Sequence, residues 1–268
     1  MENKKQESKA GSIFAGATIL LCLIVGHIIF YTVMGNGANF EGGDNANHPI
    51  PGNYLGIVFK GGFIVPILMG FFLIVFTVSI ERLLTLGKAN GKGSVESFVL
   101  KTKNLLSTDQ IDTAIADCDT QKGSVANVIR ATLHTYKDMV TESNFDKEQK
   151  VAAIQKTTEE YTSLELPMLE KNLSILSTLG SVATLVALLG TVIGMIKAFA
   201  GMSQAGAPDS TALANGISEA LINTAIGIGT SAIAIICYNY FTSKIDTLSY
   251  SIDEAGMSIA QTFAAKHK

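Results

Sequence analysis

Apolar residues in this chain gather into four long runs, 13–34, 61–80, 172–196 and 220–243, and none of the four contains Asp, Glu, Lys or Arg. Each is long enough for the roughly 20 helical residues that cross a hydrocarbon core. The pattern predicts an all-α, polytopic membrane protein with four transmembrane helices. Lys4, Lys5 and Lys9 precede the first run. That run is longer than a signal-peptide core and no small-residue cleavage pattern closes it, so a retained helix is expected.

The polar segments between the runs differ in kind. Residues 36–60 carry Gly42, Gly43, Asp44, Asn45, Pro49, Pro51 and Gly52 with few apolar neighbours, which predicts an irregular loop. Residues 81–171 read as helical throughout. Ser107 and Gln110 have capping-box spacing ahead of Ile111, Ala114 and Ile115, and Gly123 with Ser124 restarts a helix carrying Val125, Val128, Ile129, Ala131 and Leu133. From Lys147 no glycine interrupts the pattern up to the third run, which predicts one very long helix bent near Pro167, where an amide donor is missing.

Composition agrees with a membrane protein: 47% of the 268 residues are hydrophobic, 16% are charged, and the net charge is -3. Cys22 and Cys237 lie in apolar runs and Cys118 in a polar stretch, without paired spacing, so neither a disulfide framework nor a zinc site is expected. His27, His48, His134 and His267 are scattered, and no metal or other cofactor is expected. Lysine and arginine set the orientation. Twelve of them fall in 81–171, only Lys60 falls in 35–60, and none falls in 198–215, while the end of the chain has Lys244, Lys266 and Lys268. The positive segments, 1–12, 81–171 and 244–268, are placed inside.

Chemistry concentrates in the last two runs. At 100° per residue, Ser174, Ser177, Thr178, Ser181, Thr184 and Thr191 share an arc of roughly 140°. Gly190 and Gly194 lie away from it at the Gly-x-x-x-Gly spacing that permits close helix approach. Glu219, just ahead of the fourth run, gathers with Asn223, Thr224, Gly227, Thr230 and Ser231 along it into a similar arc. A single hydroxyl often only bonds a carbonyl one turn back. Two aligned stripes on neighbouring helices point instead to a partly hydrated pathway. Glu219, at the edge of its run, is either an interfacial anchor or an attractor of cations, and Lys197 reads as a snorkelling end residue.

No strong acid or base lies deep in any run, so a titratable carrier has to come from a partner. Gly87, Gly91, Lys92, Gly93 and Ser94 do not make a phosphate loop, because three residues separate the first glycines and Gly93 follows the lysine. No enzymatic step is expected. The remaining energy source is the membrane gradient, worth about 2.3 kcal/mol per charge per 100 mV.

The run from Leu185 to Phe199, LVALLGTVIGMIKAF, resembles the LLGTVxGMIxxF signature of the ExbB/TolQ/MotA proton-channel family, and Leu213 to Gly227, LANGISEALINTAIG, is similar to its second signature, LAxGIxEALxxTAxGL. Ser79-Ile80-Glu81-Arg82-Leu83 also fits, so the resemblance covers roughly 63–241. Ala183-Thr184 and Ala187 stand where the family often has Ala-Pro and Gly, and a span ahead of 61–80 is unusual for ExbB.

The resemblance implies an ExbB-like homo-oligomer, a pentamer, around two ExbD-like single-span subunits whose aspartate carries the proton. A TonB-like protein would receive the work, membrane lipid would surround the assembly, and no nucleic acid would be involved. Thr191 and Thr224 would be pore threonines, with Glu219 a polar neighbour and Thr184, Ser181 and Asn223 along the same pathway. Gly190, Gly194 and Gly227 would pack the helices. A TolQ-like role in envelope maintenance, a MotA-like stator and a non-conducting scaffold stand as alternatives. The organisation this implies for the bacterial inner membrane is a cytoplasmic segment 1–12, a span 13–34, a periplasmic loop 35–60, a span 61–80 and a cytoplasmic helical domain 81–171. Pore helices 172–197 and 216–243 follow, joined by a periplasmic link 198–215, with a cytoplasmic tail 244–268.

Overall fold

The computed structural model describes residues 2–203 and 210–267, the side chains of 2–15 excepted. Its helices are α1 (Glu2–Ile29), α2 (Tyr54–Phe59), α3 (Val65–Ala89), α4 (Val95–Ser107), α5 (Ile111–Gln121), α6 (Gly123–Thr141), α7 (Lys147–Glu170), α8 (Leu173–Met202) and α9 (Ser210–Lys266). Among the described residues there is no β-strand, only an isolated bridge between Phe40 and Pro49. Among the described residues four helical stretches are long and apolar enough to cross a membrane, namely Gly16–Met34, Val65–Ala89, Lys147–Met202 and Ser210–Lys266. The protein is an all-α, polytopic membrane protein. Residues 204–209, in the middle of the expected 198–215 link, lie outside the described residues, and both flanks of that link are helical.

The chain forms two compact units, Met1–Ile80 with Ser174–Tyr238 and Glu81–Leu173 with Asn239–Lys268. In the first, Ile64, Leu68 and Ala187 make a core against which Phe71, Val186, Ile193 and Ile226 pack. Cys22 of α1 meets Thr77 of α3 at 3.7 Å. The segment between these helices is more ordered than its composition predicts. A π-turn at Phe30–Met34 continues α1, Asn39 donates to the Val33 and Met34 carbonyls, and Phe59 of α2 stacks on Phe30. Asn side chains supply the caps that glycine-rich backbone lacks: Asn53 accepts from Gly56 N at the start of α2. Lys60 donates to the Asn45 and Ala46 carbonyls.

The second unit is a helical bundle whose apolar periodicity is plainest in α6. Val125, Val128, Ile129, Thr132, Leu133 and Tyr136 recur at three- and four-residue spacing and are all buried. Thr132 and Thr158 join α6 to α7 by a buried hydroxyl bond of 3.0 Å. Lys266, at the end of α9, donates to the carbonyl of Leu106 in the last turn of α4 and to Asp109 in the turn that follows it.

Two local expectations are corrected. Ser107 does not cap α5: it is the last residue of α4 and its hydroxyl donates to the Asn104 carbonyl. The capping box lies at Asp146 and Gln149, at the start of α7. Nor do 147–196 form one helix. α7 continues through Pro167 to Glu170, and the interruption comes at Lys171 and Asn172, the latter with φ +64°. Asn is among the few side chains that tolerate this left-handed backbone.

Candidate functional site

In α8 every third or fourth residue from Gly180 to Ala198 is small on one face, and that face meets α9. A Cβ added to Gly190 would lie 2.8 Å from Asn223 Cγ, and one added to Gly194 would lie 2.8 Å from the Gly216 carbonyl oxygen. Gly227 is buried against Ala187 and Ala183. These glycines let the two backbones close to a distance that larger residues forbid.

The two polar stripes do not face each other. The α9 stripe turns inward: Glu219, Asn223, Thr230 and Ser231 are all buried. Asn223 Nδ2 donates to the Gly61 carbonyl just before α3 at 3.0 Å, and Ser231 donates to the Gly180 carbonyl of α8. The α8 stripe mostly points outward: Ser174, Ser177, Thr178, Ser181 and Thr184 are exposed. Thr191 alone among those six α8 hydroxyls reaches the α9 stripe. Its oxygen lies 2.6 Å from Thr224 Oγ1, with the Ala187 and Ala220 carbonyls at 3.1 and 3.3 Å, and Thr224 also donates to Ala220 at 3.0 Å. The structure thus brings together Thr191 with Thr224, buries Glu219 and Asn223 one turn apart on α9, and leaves Ser181 and Thr184 on a separate, open surface.

Two hydroxyl protons serve this threonine pair, and each oxygen has two lone pairs. Whichever hydroxyl donates to the other, the second proton goes to a carbonyl, and lone pairs remain for an outside donor. Either hydroxyl can therefore be the donor within the pair, the other proton going to a backbone carbonyl.

Lys197 is not simply a snorkelling end residue. Its ammonium donates to both carboxylate oxygens of Glu219 at 2.7 and 2.9 Å. The pair is asymmetric, with the Glu219 side chain 10% exposed and that of Lys197 51%. Charge complementarity across 22 residues of sequence is not visible in helical periodicity, since the two residues sit on different helices.

A further cluster escapes periodicity for the same reason. Arg82, 2% exposed, donates to the Leu169 carbonyl at 3.0 Å and to Glu81 through Nε at 2.7 Å. Glu81 accepts from Asn172 Nδ2 at 3.2 Å. The last four carbonyls of a helix have no partner within it. Arg82 supplies one for α7 where the chain turns at Asn172, which gives the Glu81-Arg82 dipeptide a structural use. No group of three or more His, Cys, Asp or Glu that would hold a metal occurs among the described residues.

Comparison with known proteins places this geometry. Residues 121–254, which contain the threonine pair, the Lys197–Glu219 pair and the packing glycines, match the MotA/TolQ/ExbB proton channel family. The chain is 31% identical over 124 residues to the Tol-Pal system protein TolQ of Pseudomonas aeruginosa, covering 46% of this chain and 54% of that protein. It is 41% identical over 81 residues to the biopolymer transport protein ExbB of Helicobacter pylori, covering 30% and 56%. The biopolymer transport protein ExbB of Salmonella typhimurium is 32% identical over 84 residues, covering 31% and 34%. The matched stretch thus spans about half, or less, of these relatives. With half of its length matched, including both helices that carry the paired threonines, the chain belongs to the MotA/TolQ/ExbB proton channel family.

Proposed function

We propose that this chain is the channel subunit of an inner-membrane motor that uses the proton motive force to energise TonB-dependent transport across the outer membrane. The observation that carries the reading is the 2.6 Å Thr191–Thr224 hydroxyl pair, set between the two family helices with lone pairs to spare. Such a pair passes hydrogen bonds but holds no charge at neutral pH, so a carboxylate from a partner helix supplies the titrating step. The partners in this reading are further copies of the chain, a pentamer, around two ExbD-like single-span subunits, with a TonB-like protein receiving the work. The open face of α8, where Ser181 and Thr184 are exposed beside Leu185, Leu188 and Val192, supports a surface that such neighbours cover. In this reading the lysine-bearing segments 1–12, 81–171 and 244–268 face the cytoplasm, as the excess of Lys and Arg in them favours. The work is done without a covalent catalytic step by this chain.

The similarity to TolQ of Pseudomonas aeruginosa favours a second reading, service of a Tol-Pal-like envelope system by the same channel. The test is Thr224→Val in the native cell, with assembly followed by native mass spectrometry of the gently extracted complex. Loss of proton-driven nutrient uptake with an intact oligomer supports the first reading, and loss of envelope integrity with uptake intact supports the second. Normal performance of both in that variant removes the pore role from Thr224.

A further inference from the structure

Three consecutive residues ahead of α3 frame the buried polar end of α9. The Gly61 carbonyl holds the Asn223 amide. Gly62, at φ +80°, lies directly under the Glu219 carboxylate, in space that a Cβ would need. The Phe63 ring faces the Lys197 ammonium at 5.8 Å. Because Gly61 fixes which way the Asn223 amide points, its Oδ1 is turned the other way, fully buried and without a hydrogen-bond partner among the described residues. A buried acceptor left unpaired costs about 1–3 kcal/mol. One helical turn separates it from Glu219, on the same face of α9.

We propose that Lys197 is a tethered gate. Its ammonium occupies the place at the Glu219 carboxylate that a small hydrated monovalent cation takes during conduction, and Asn223 Oδ1 is the next acceptor inward. The inference rests on the channel reading above. Glu219 is the buried, framed member of the pair and Lys197 the exposed one, on a flexible four-carbon stem. When the pair opens, the lysine therefore moves. It leaves as an ammonium, no proton is transferred to or from it, and the incoming cation restores the charge balance. While the lysine is in place the carboxylate offers no net charge to attract a cation. Lys197 is in these terms a positioning residue that sets the resting leak.

The experiment uses the full-length chain, extracted with whatever remains bound and reconstituted in liposomes containing a pH-sensitive or a sodium-sensitive dye, with a potential imposed by potassium and valinomycin. Lys197→Met keeps the stem over Phe63 and removes the charge, Lys197→Gln is a second neutral variant, and Lys197→Arg keeps the charge. The expected result is a several-fold rise in cation leak in both neutral variants, with the leak brought back down in Lys197→Arg. The responding dye identifies the cation. Conduction by the parent protein that neither neutral variant raises, at equal oligomer content, overturns the gate alone. An absence of conduction in the parent and in every variant overturns the channel reading and the gate with it.

Discussion

The guanidinium of Arg82 donates to the carbonyl of Leu169 at 3.0 Å across 87 residues of sequence, closing the end of α7 from the side of α3. Both ends of the contact lie in the second unit, and Arg82 is buried there. Replacement by Met leaves that carbonyl unpaired and Glu81 without its cation. The expected cost is about 2–3 kcal/mol. Arg82→Lys recovers part of it, because an ammonium lacks the fork that serves Glu81 and Leu169 together. Thermal unfolding in one detergent, parent against both variants, checks the order.

A side chain added at Gly190 collides with the Asn223 amide, which the Gly61 carbonyl prevents from moving aside. Gly190→Ala is expected to destabilise by about 1–3 kcal/mol, the usual cost of overpacking. Asn223→Ala in the same chain relieves the collision, so the double variant is more stable than the sum of the singles predicts, by about 1 kcal/mol. At Gly194 the obstacles are the Gly216 carbonyl and the Ala220 amide, which are backbone, so no single truncation on α9 rescues Gly194→Ala. A double-mutant cycle read by unfolding temperature tests both statements.

Burial, reinforced by the Asp119 and Asp117 carboxylates, pushes the Cys118 thiol from an ordinary 9.0 up to about 12. The folded chain thus keeps this proton where the unfolded chain loses it. The stabilisation is complete below pH 9 and is lost as the pH climbs from 9 through about 12. With Cys22 and Cys237 replaced by Ala, Cys118 is expected to resist iodoacetamide at pH 8.5 until denaturant is added. Between pH 9 and 11 the unfolding temperature falls more steeply than in a further Cys118→Ala variant. Labelling of the native protein at pH 8.5, or equal slopes, contradicts the burial of the thiol as its governing feature.

Much of the architecture was legible in the chain because it depends on short-range periodicity. Four runs without Asp, Glu, Lys or Arg determine the membrane helices, since an unpaired charge in hydrocarbon is costly whatever surrounds it. The small residues Gly190, Gly194 and Gly227 announce close packing because a backbone can approach only where side chains are absent. The two motifs around Thr191 and Thr224 mark the family. Ser107 with Gln110 shows where such reading fails: a Ser and a Gln three positions apart occur by chance as well as at helix starts, and α4 extends far enough to absorb the serine.

Only tertiary structure decided which way the stripes face and what pairs with what. Helical projection orders residues around one axis but does not say which arc meets a neighbour, so two hydroxyl stripes that look alike in sequence became one buried and one open. The Lys197–Glu219 pair, the Gly61 clasp on Asn223 and the Arg82 closure of α7 each join residues on different elements. Each is selected because a charge or a polar group lost its water and needed a partner where the fold happened to bring one, and that requirement arises only after the helices have packed.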